Sequence, residues 1–97
     1  MKTKFIWDET KRSKNIRKHG FDFADANVVL ESRYRMDVST ARGVEIRVQS
    51  FSYVMKRLAV LTVVHLDREG ATRILSFRKA NKKESEVYYD WISQEND

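Results

Sequence analysis

The chain has no cysteine, no proline and only three glycines in 97 residues. Without cysteine there is no disulfide framework and no thiolate metal site. Its two histidines, His19 and His65, stand far apart in sequence, so no metal-ligand spacing is present. With so little glycine and no proline, nothing reads as a linker, a repeat or a low-complexity segment, and residues 1–97 read as a single domain. Long apolar runs are also missing. The longest, Leu58 to Leu66, is broken by Thr62 and His65 and falls far short of the roughly 20 residues that span a bilayer. The opening M-K-T-K-F-I-W-D lacks the apolar core of a secretion signal. These absences lead us to expect a cytoplasmic chain with no membrane partner and no cofactor.

What is present is a small globule with an uneven charge. Hydrophobic residues make up 41% and aromatics 11%, enough for a modest core. The net charge is +5, but the last twelve residues hold Glu86, Asp90, Glu95 and Asp97 and no lysine or arginine. The first 85 residues therefore carry all 19 basic side chains against 10 of the 14 acidic ones, a net +9. A body of that charge attracts polyanions, nucleic acid first among them.

Periodicity supplies the elements. Lys4 to Trp7 reads as a short strand. Asp8 is the N-cap of a first helix ending near His19, with Gly20 in the left-handed position beyond it. Asp22 starts a second helix, with Phe23, Ala26, Asn27 and Leu30 at helical spacing. The period then falls to two. Tyr34, Met36 and Val38 mark one strand and Ser39 to Gly43 a turn. Val44, Ile46 and Val48 form the apolar side of the next strand, and Glu45, Arg47 and Gln49 its polar side. Leu58 to Leu66 reads as the central strand, Asp67 to Gly70 as a hairpin turn and Thr72 to Phe77 as the fourth long strand. Asn81 caps a last helix with Glu84 in a capping box, and Val87, Tyr88, Trp91 and Ile92 form its apolar stripe. Helices and strands kept apart in this way predict an α+β fold: two N-terminal helices, a C-terminal helix and an antiparallel sheet of four strands plus the short first one.

Two constellations carry chemistry. Lys11, Asn15, Lys18 and His19 share one face of the first helix, a face suited to an anion. Glu45 and Arg47, two apart on a strand, share its polar side. Spacing alone reads that pair as a solvent-facing ion pair. His65, inside the apolar strand, reads as a satisfied buried histidine, and Trp7 as a core residue.

The chain also resembles a known family. Phe5, Trp7, Asp8, Lys11, Asn15, Lys18, His19 and Gly20 follow F-x-W-D-x-x-K-x-x-x-N-x-x-K-H-G, the opening of BrnT-type toxins, and F-D-F-A-D-A continues it. Arg73 to Glu84, R-I-L-S-F-R-K-A-N-K-K-E, is similar to that family's R-I-I-S-A-R-K-A-x-x-x-E signature, and Glu45-x-Arg47 and Arg57 to His65 fall between them in order. The chain departs from the family at Ser50 to Lys56, where members carry glycine. The resemblance implies a RelE-like fold and the toxin half of a type II toxin–antitoxin pair. It also implies a ribonuclease that blocks translation and growth, a small ribbon-helix-helix antitoxin similar to BrnA, and repression of operator DNA by the complex.

Metal-independent RNA cleavage needs a base for the 2′-hydroxyl, cations for the crowded phosphate and an acid for the leaving 5′-oxygen. On that basis His19, Glu45, Arg47 and Arg78 are the candidate catalytic residues, and Lys11, Asn15, Lys18, Arg73 and Lys79 the candidate RNA-binding ones. Arg73 and Arg78 are an odd number of residues apart, so a regular strand would point them to opposite faces. The competing readings are a non-enzymatic nucleic-acid-binding or repressor module and an inactive relative that binds only its antitoxin.

Overall fold

The structure, a computed structural model of the chain, describes residues 3–95; Asp97 of the acidic tail lies outside them. In chain order come β1 (Lys4–Ile6), α1 (Glu9–His19), a 3-10 turn (Phe23–Asp25), α2 (Asn27–Leu30), β2 (Met36–Arg42), β3 (Glu45–Val54), a second 3-10 turn (Met55–Arg57), β4 (Ala59–Arg68), β5 (Ala71–Lys79) and α3 (Lys82–Glu95). The strands form one sheet in the order β1-β5-β4-β3-β2. The fold is α+β. The four long strands form the expected antiparallel meander. β1 instead pairs parallel to β5, through Lys4↔Ala71 to Ile6↔Arg73, so the sheet is mixed. Alternation within three residues carries no information about the direction of a partner more than sixty residues away.

Local signals fix the helix ends. The Asp8 carboxylate accepts from the Lys11 backbone N–H, and Gly20, at φ 76°, closes α1 by donating its N–H to the Ile16 carbonyl. The expected second helix is shorter and divided. Asp22 caps the 3-10 turn through the Ala24 N–H, and only one turn of α-helix, α2, follows. Asn81 and Glu84 form a reciprocal box at the start of α3: Glu84 N–H donates to Asn81 Oδ1, and Asn81 N–H donates to Glu84 Oε1.

The sheet buries both faces in part. On one, Phe23, Ala26, Val29 and Leu30 pack against Leu61, Val63, Ile74 and Phe77, with Phe5, Trp7 and Phe21 at the margin. On the other, α3 lays Tyr88 over Met36, Phe51 and Val60, flanked by Trp91 and Ile92, while Val87 of the expected stripe stays exposed. Neither layer reaches the β2–β3 end. There Val44 and Ile46 are exposed, whereas Glu45, Arg47 and Gln49 are half-buried. The alternation read from sequence is real, but burial at this end is reversed, because no helix covers the apolar side. β2 also runs through the expected turn to Arg42, leaving only Gly43 and Val44 as the loop.

Candidate functional site

The open part of the α3-side face is built row by row from strand register, since cross-strand partners share a face. Thr40 pairs with Arg47, Leu66 with Arg73, and Arg73 with Ile6. Continuing the β3–β4 register beyond Val48↔His65 brings Arg47 beside Leu66 and Glu45 beside Arg68. Arg42 pairs with Glu45 from the other side. One further row along, Gln49 pairs with Val64, and Val64 with Ser76. A cavity of about 370 Å³ opens on this surface, lined by Ile6, Lys11, Glu45, Arg47, Leu66, Arg68, Ala71, Arg73 and Leu75. A second hollow of about 290 Å³ continues it across Arg42, Arg47, Gln49, Leu75 and Ser76.

A β-bulge resolves the parity of Arg73 and Arg78. The β4–β5 register slips between Val64 and His65: Val64 pairs with Ser76 and His65 with Ile74, so Leu75 is the extra residue. Arg73, opposite Leu66, and Arg78, opposite Thr62, therefore lie on the same face although five positions separate them. Lys79, opposite Leu61, falls on the other face.

α1 lies along the edge of β5 that β1 leaves unpaired, and Asn15 replaces the missing strand. Its amide nitrogen donates to the carbonyls of Phe77, at 2.7 Å, and Phe21, at 2.8 Å, and its oxygen accepts from the Phe77 N–H at 3.2 Å. Asn15 is buried. Placed by sequence on the RNA-facing wall, it is instead a clamp on the sheet edge. The helix face read as anion-binding is thus the face docked on β5. Only its ends remain available: Lys11 at the cavity, and Lys18 and His19 at the far end.

The candidate residues fall into two groups. Lys11, Glu45, Arg47 and Arg73 line one cavity. His19 and Arg78 lie together toward the other end of α1 and β5, close enough for the arginine charge to act on the imidazole. Four residue steps of strand separate the Arg47–Arg73 row from the Arg78 row, roughly 13 Å, so the two groups do not hold one phosphate between them. Lys18 is exposed at the second group. The cavity also contains Arg68, and its extension Arg42, neither of which sequence reasoning singled out. Their strand parity, matching Glu45 through the hairpin registers, was the available signal.

Charge pairing differs between the groups. Arg78 makes a bidentate pair with Glu84, at 2.8 and 3.0 Å, and Gln49 Nε2 also donates to that carboxylate. The Arg78 guanidinium holds the Glu84 carboxyl down at about 2, and Glu84 in turn raises Arg78. Burial lowers His19 below its usual value, helped by Lys18 and Arg78. In the cavity, Arg47 Nε donates to Glu45 Oε1 at 2.9 Å. Lys11, Arg42, Arg68 and Arg73 make no ion pair among the described residues. Lys11 and Arg73 do act at longer range on the Asp8 carboxylate, which the Lys11 backbone N–H chiefly lowers and their charges lower further.

Within the sheet lies a polar chain that resembles a nucleophilic triad in order only. Ser50 Oγ is 2.7 Å from His65 Nε2, and His65 Nδ1 is 2.7 Å from Asp67 Oδ1. The Ser50 hydroxyl donates to Asp37 Oδ1 at 2.6 Å, and Thr72 Oγ1 donates to Asp67. Ser50 and His65 are completely buried. A hydroxyl so enclosed meets no substrate; the chain ties β2, β3, β4 and β5 together, and His65 is the satisfied histidine the sequence indicated. Among the described residues no three His, Asp or Glu side chains converge as metal ligands, and no helix is long and apolar enough to cross a membrane.

The model of one protein family, described as the ribonuclease toxin BrnT of type II toxin–antitoxin systems, matches residues 7–84. The chain belongs to the BrnT family. No curated protein matches it significantly. The match runs from Trp7 to Glu84 and includes every residue of the cavity except Ile6, together with the Arg78–Glu84 pair. Membership in a type II toxin family implies a protein antitoxin as partner.

Proposed function

We propose that this BrnT-family chain is an endoribonuclease whose cutting centre is the cavity between β1, β3, β4 and β5. The observation that carries this is the convergence of Lys11, Glu45, Arg47 and Arg73, from three separate elements, on one 370 Å³ hollow. Glu45 accepts the proton of the 2′-hydroxyl, which then attacks the adjacent phosphorus. Arg47 and Arg73 hold the non-bridging oxygens, a task for which the planar guanidinium fork is suited. Lys11, on a flexible stem at the cavity mouth, supplies a proton to the leaving 5′-oxygen. All steps are carried by side chains of this chain, without a metal. Arg78, beside His19 and exposed Lys18, takes a phosphate further along the strand, about two nucleotides away by the roughly 13 Å between the Arg73 and Arg78 rows. Cleaving mRNA is the route to blocked translation and growth. The neutralising partner is a ribbon-helix-helix antitoxin similar to BrnA, and the complex of the two binds operator DNA.

The test is incubation of purified protein with single-stranded RNA in excess chelator. Fragments with 2′,3′-cyclic phosphate ends are expected. Glu45→Gln should slow cleavage by about a hundredfold or more with little change in RNA affinity, as removal of a general base does. Arg78→Gln should weaken binding with a smaller effect on the bound-state rate. Intact RNA at high protein concentration, or full activity in Glu45→Gln, would overturn the assignment.

A further inference from the structure

The cutting centre has a feature that phosphate chemistry does not need. Four of the nine residues around the 370 Å³ cavity are apolar: Ile6, Leu66, Ala71 and Leu75. They come from three different strands, and the cations Lys11, Arg47, Arg68 and Arg73 stand around them. A site for phosphate alone is walled by donors; an aliphatic floor gives it nothing. The floor also depends on the bulge. Leu75, the extra residue of β5, is the one apolar side chain that lines both this cavity and its extension toward Ser76. The same irregularity that aligns Arg73 with Arg78 therefore also puts an apolar side chain between them.

We propose that this cavity is a nucleobase subsite that takes one unpaired base of single-stranded RNA. The flat face of the base rests on Leu66, Ala71, Leu75 and Ile6, and the phosphates flanking it are held by Arg68, Arg73 and Lys11. The volume fits, at the small end of the range of about 300–1,000 Å³ for small-molecule sites. The mixture fits too: an apolar floor with a few placed polar groups fixes the orientation of a heteroaromatic ligand. Among the described residues no aromatic side chain lines the cavity, so the base is held by burial rather than by ring stacking. A paired base has its faces covered by its neighbours and cannot enter, which makes the site selective for loops and single strands.

The inference rests on the RNA reading above, but its test does not rest on cleavage. Short 2′-O-methyl oligoribonucleotides lack the attacking hydroxyl and cannot be cut. Their binding to the purified protein, by fluorescence anisotropy across a salt series, is compared with that of an abasic oligomer of the same backbone and with a duplex. The base-bearing single strand should bind about tenfold tighter than both, or better. Ala71→Leu, which fills the floor, and Leu75→Ser, which makes it polar, should each bring its affinity down to that of the abasic strand and leave the abasic strand unaffected. Arg68→Gln should weaken both strands and reduce the salt slope by about 0.7. Equal binding of abasic and base-bearing strands overturns the proposal, as does equal weakening of both by Ala71→Leu and Leu75→Ser with unchanged urea midpoints. If the base dependence holds and native RNA is not cut, the catalytic assignment fails and the subsite stands.

Discussion

At the scale of single residues, Asn15 shows how one side chain decides what a helix is for. Lys11, Lys18 and His19 around it are charged or titratable, and in sequence Asn15 reads as one more polar group on a basic face. In the structure it satisfies three backbone groups at a sheet edge. Two of them belong to Phe77, 62 positions away, so no local pattern identifies the role. Asn15→Ala leaves those groups without a partner in a buried place and should cost about 2–4 kcal/mol. A lowered urea midpoint with an unchanged slope is the expected result. Asn15→Asp should do no better, because a carboxylate cannot donate to the two carbonyls. An Asn15→Ala protein as stable as the parent would show that α1 is held to β5 by other contacts.

At the scale of elements, the signals that act within a few residues were legible in the sequence and those that depend on distant pairing were not. Asp8, Gly20 and the Asn81–Glu84 box mark helix ends because a cap bonds to its own first or last turn. The four-strand meander was legible because period two survives in β2 and β3, a continuous apolar run marks β4, and Asp67 to Gly70 marks the turn into β5. The bulge was not, since Leu75 is an ordinary strand residue whose status is set by register against β4. Hence Glu45, Arg47, Lys11 and Arg73 could be named as candidates, while the common face of Arg73 and Arg78, and the presence of Arg42 and Arg68, needed the sheet. The connection between β3 and β4 departs from expectation in another way. The central strand begins at Ala59, and Leu58 before it sits in the left-handed region at φ 52°, largely exposed. That conformation costs a residue with a side chain roughly 1–2 kcal/mol. Glycine avoids the cost but frees the unfolded chain by about 0.4–1 kcal/mol. Leu58→Gly should therefore stabilise the protein by about 0.5–1 kcal/mol, read as a higher melting temperature. A fall in melting temperature would mean that Leu58 contributes packing that its exposure conceals.

At the scale of the whole molecule, the net charge of +5 is divided between two uses. Some cations are tied into the fold: Arg12 grips Asp22 with two hydrogen bonds, at 2.7 and 2.8 Å, joining α1 to the turn after it, and Arg78 grips Glu84, joining β5 to α3. Others, Lys11, Arg42, Arg68 and Arg73, have no ion pair among the described residues and face the open side of the sheet. The first use leaves a trace in acid. Arg12 holds Asp22 at about 2, below an ordinary 3.8, and Arg78 holds Glu84 at about 2, below 4.5. Carboxyls lowered in the folded state stabilise it fully above their ordinary values, and that contribution is lost as pH falls from about 4.5 toward 2. Allowing for solvent screening, the Arg78–Glu84 pair, a fifth to a third exposed, contributes about 1–2 kcal/mol, and the more open Arg12–Asp22 pair less. Urea midpoints at pH 7 and pH 3 should therefore differ in the parent protein. The difference should shrink in an Asp22→Asn, Glu84→Gln double variant, whose amides keep the shape but do not titrate. An undiminished difference would place the acid sensitivity elsewhere, with Asp37, whose carboxyl is lowered, despite its burial, by hydrogen bonds from Arg35 and Ser50, as the next group to replace.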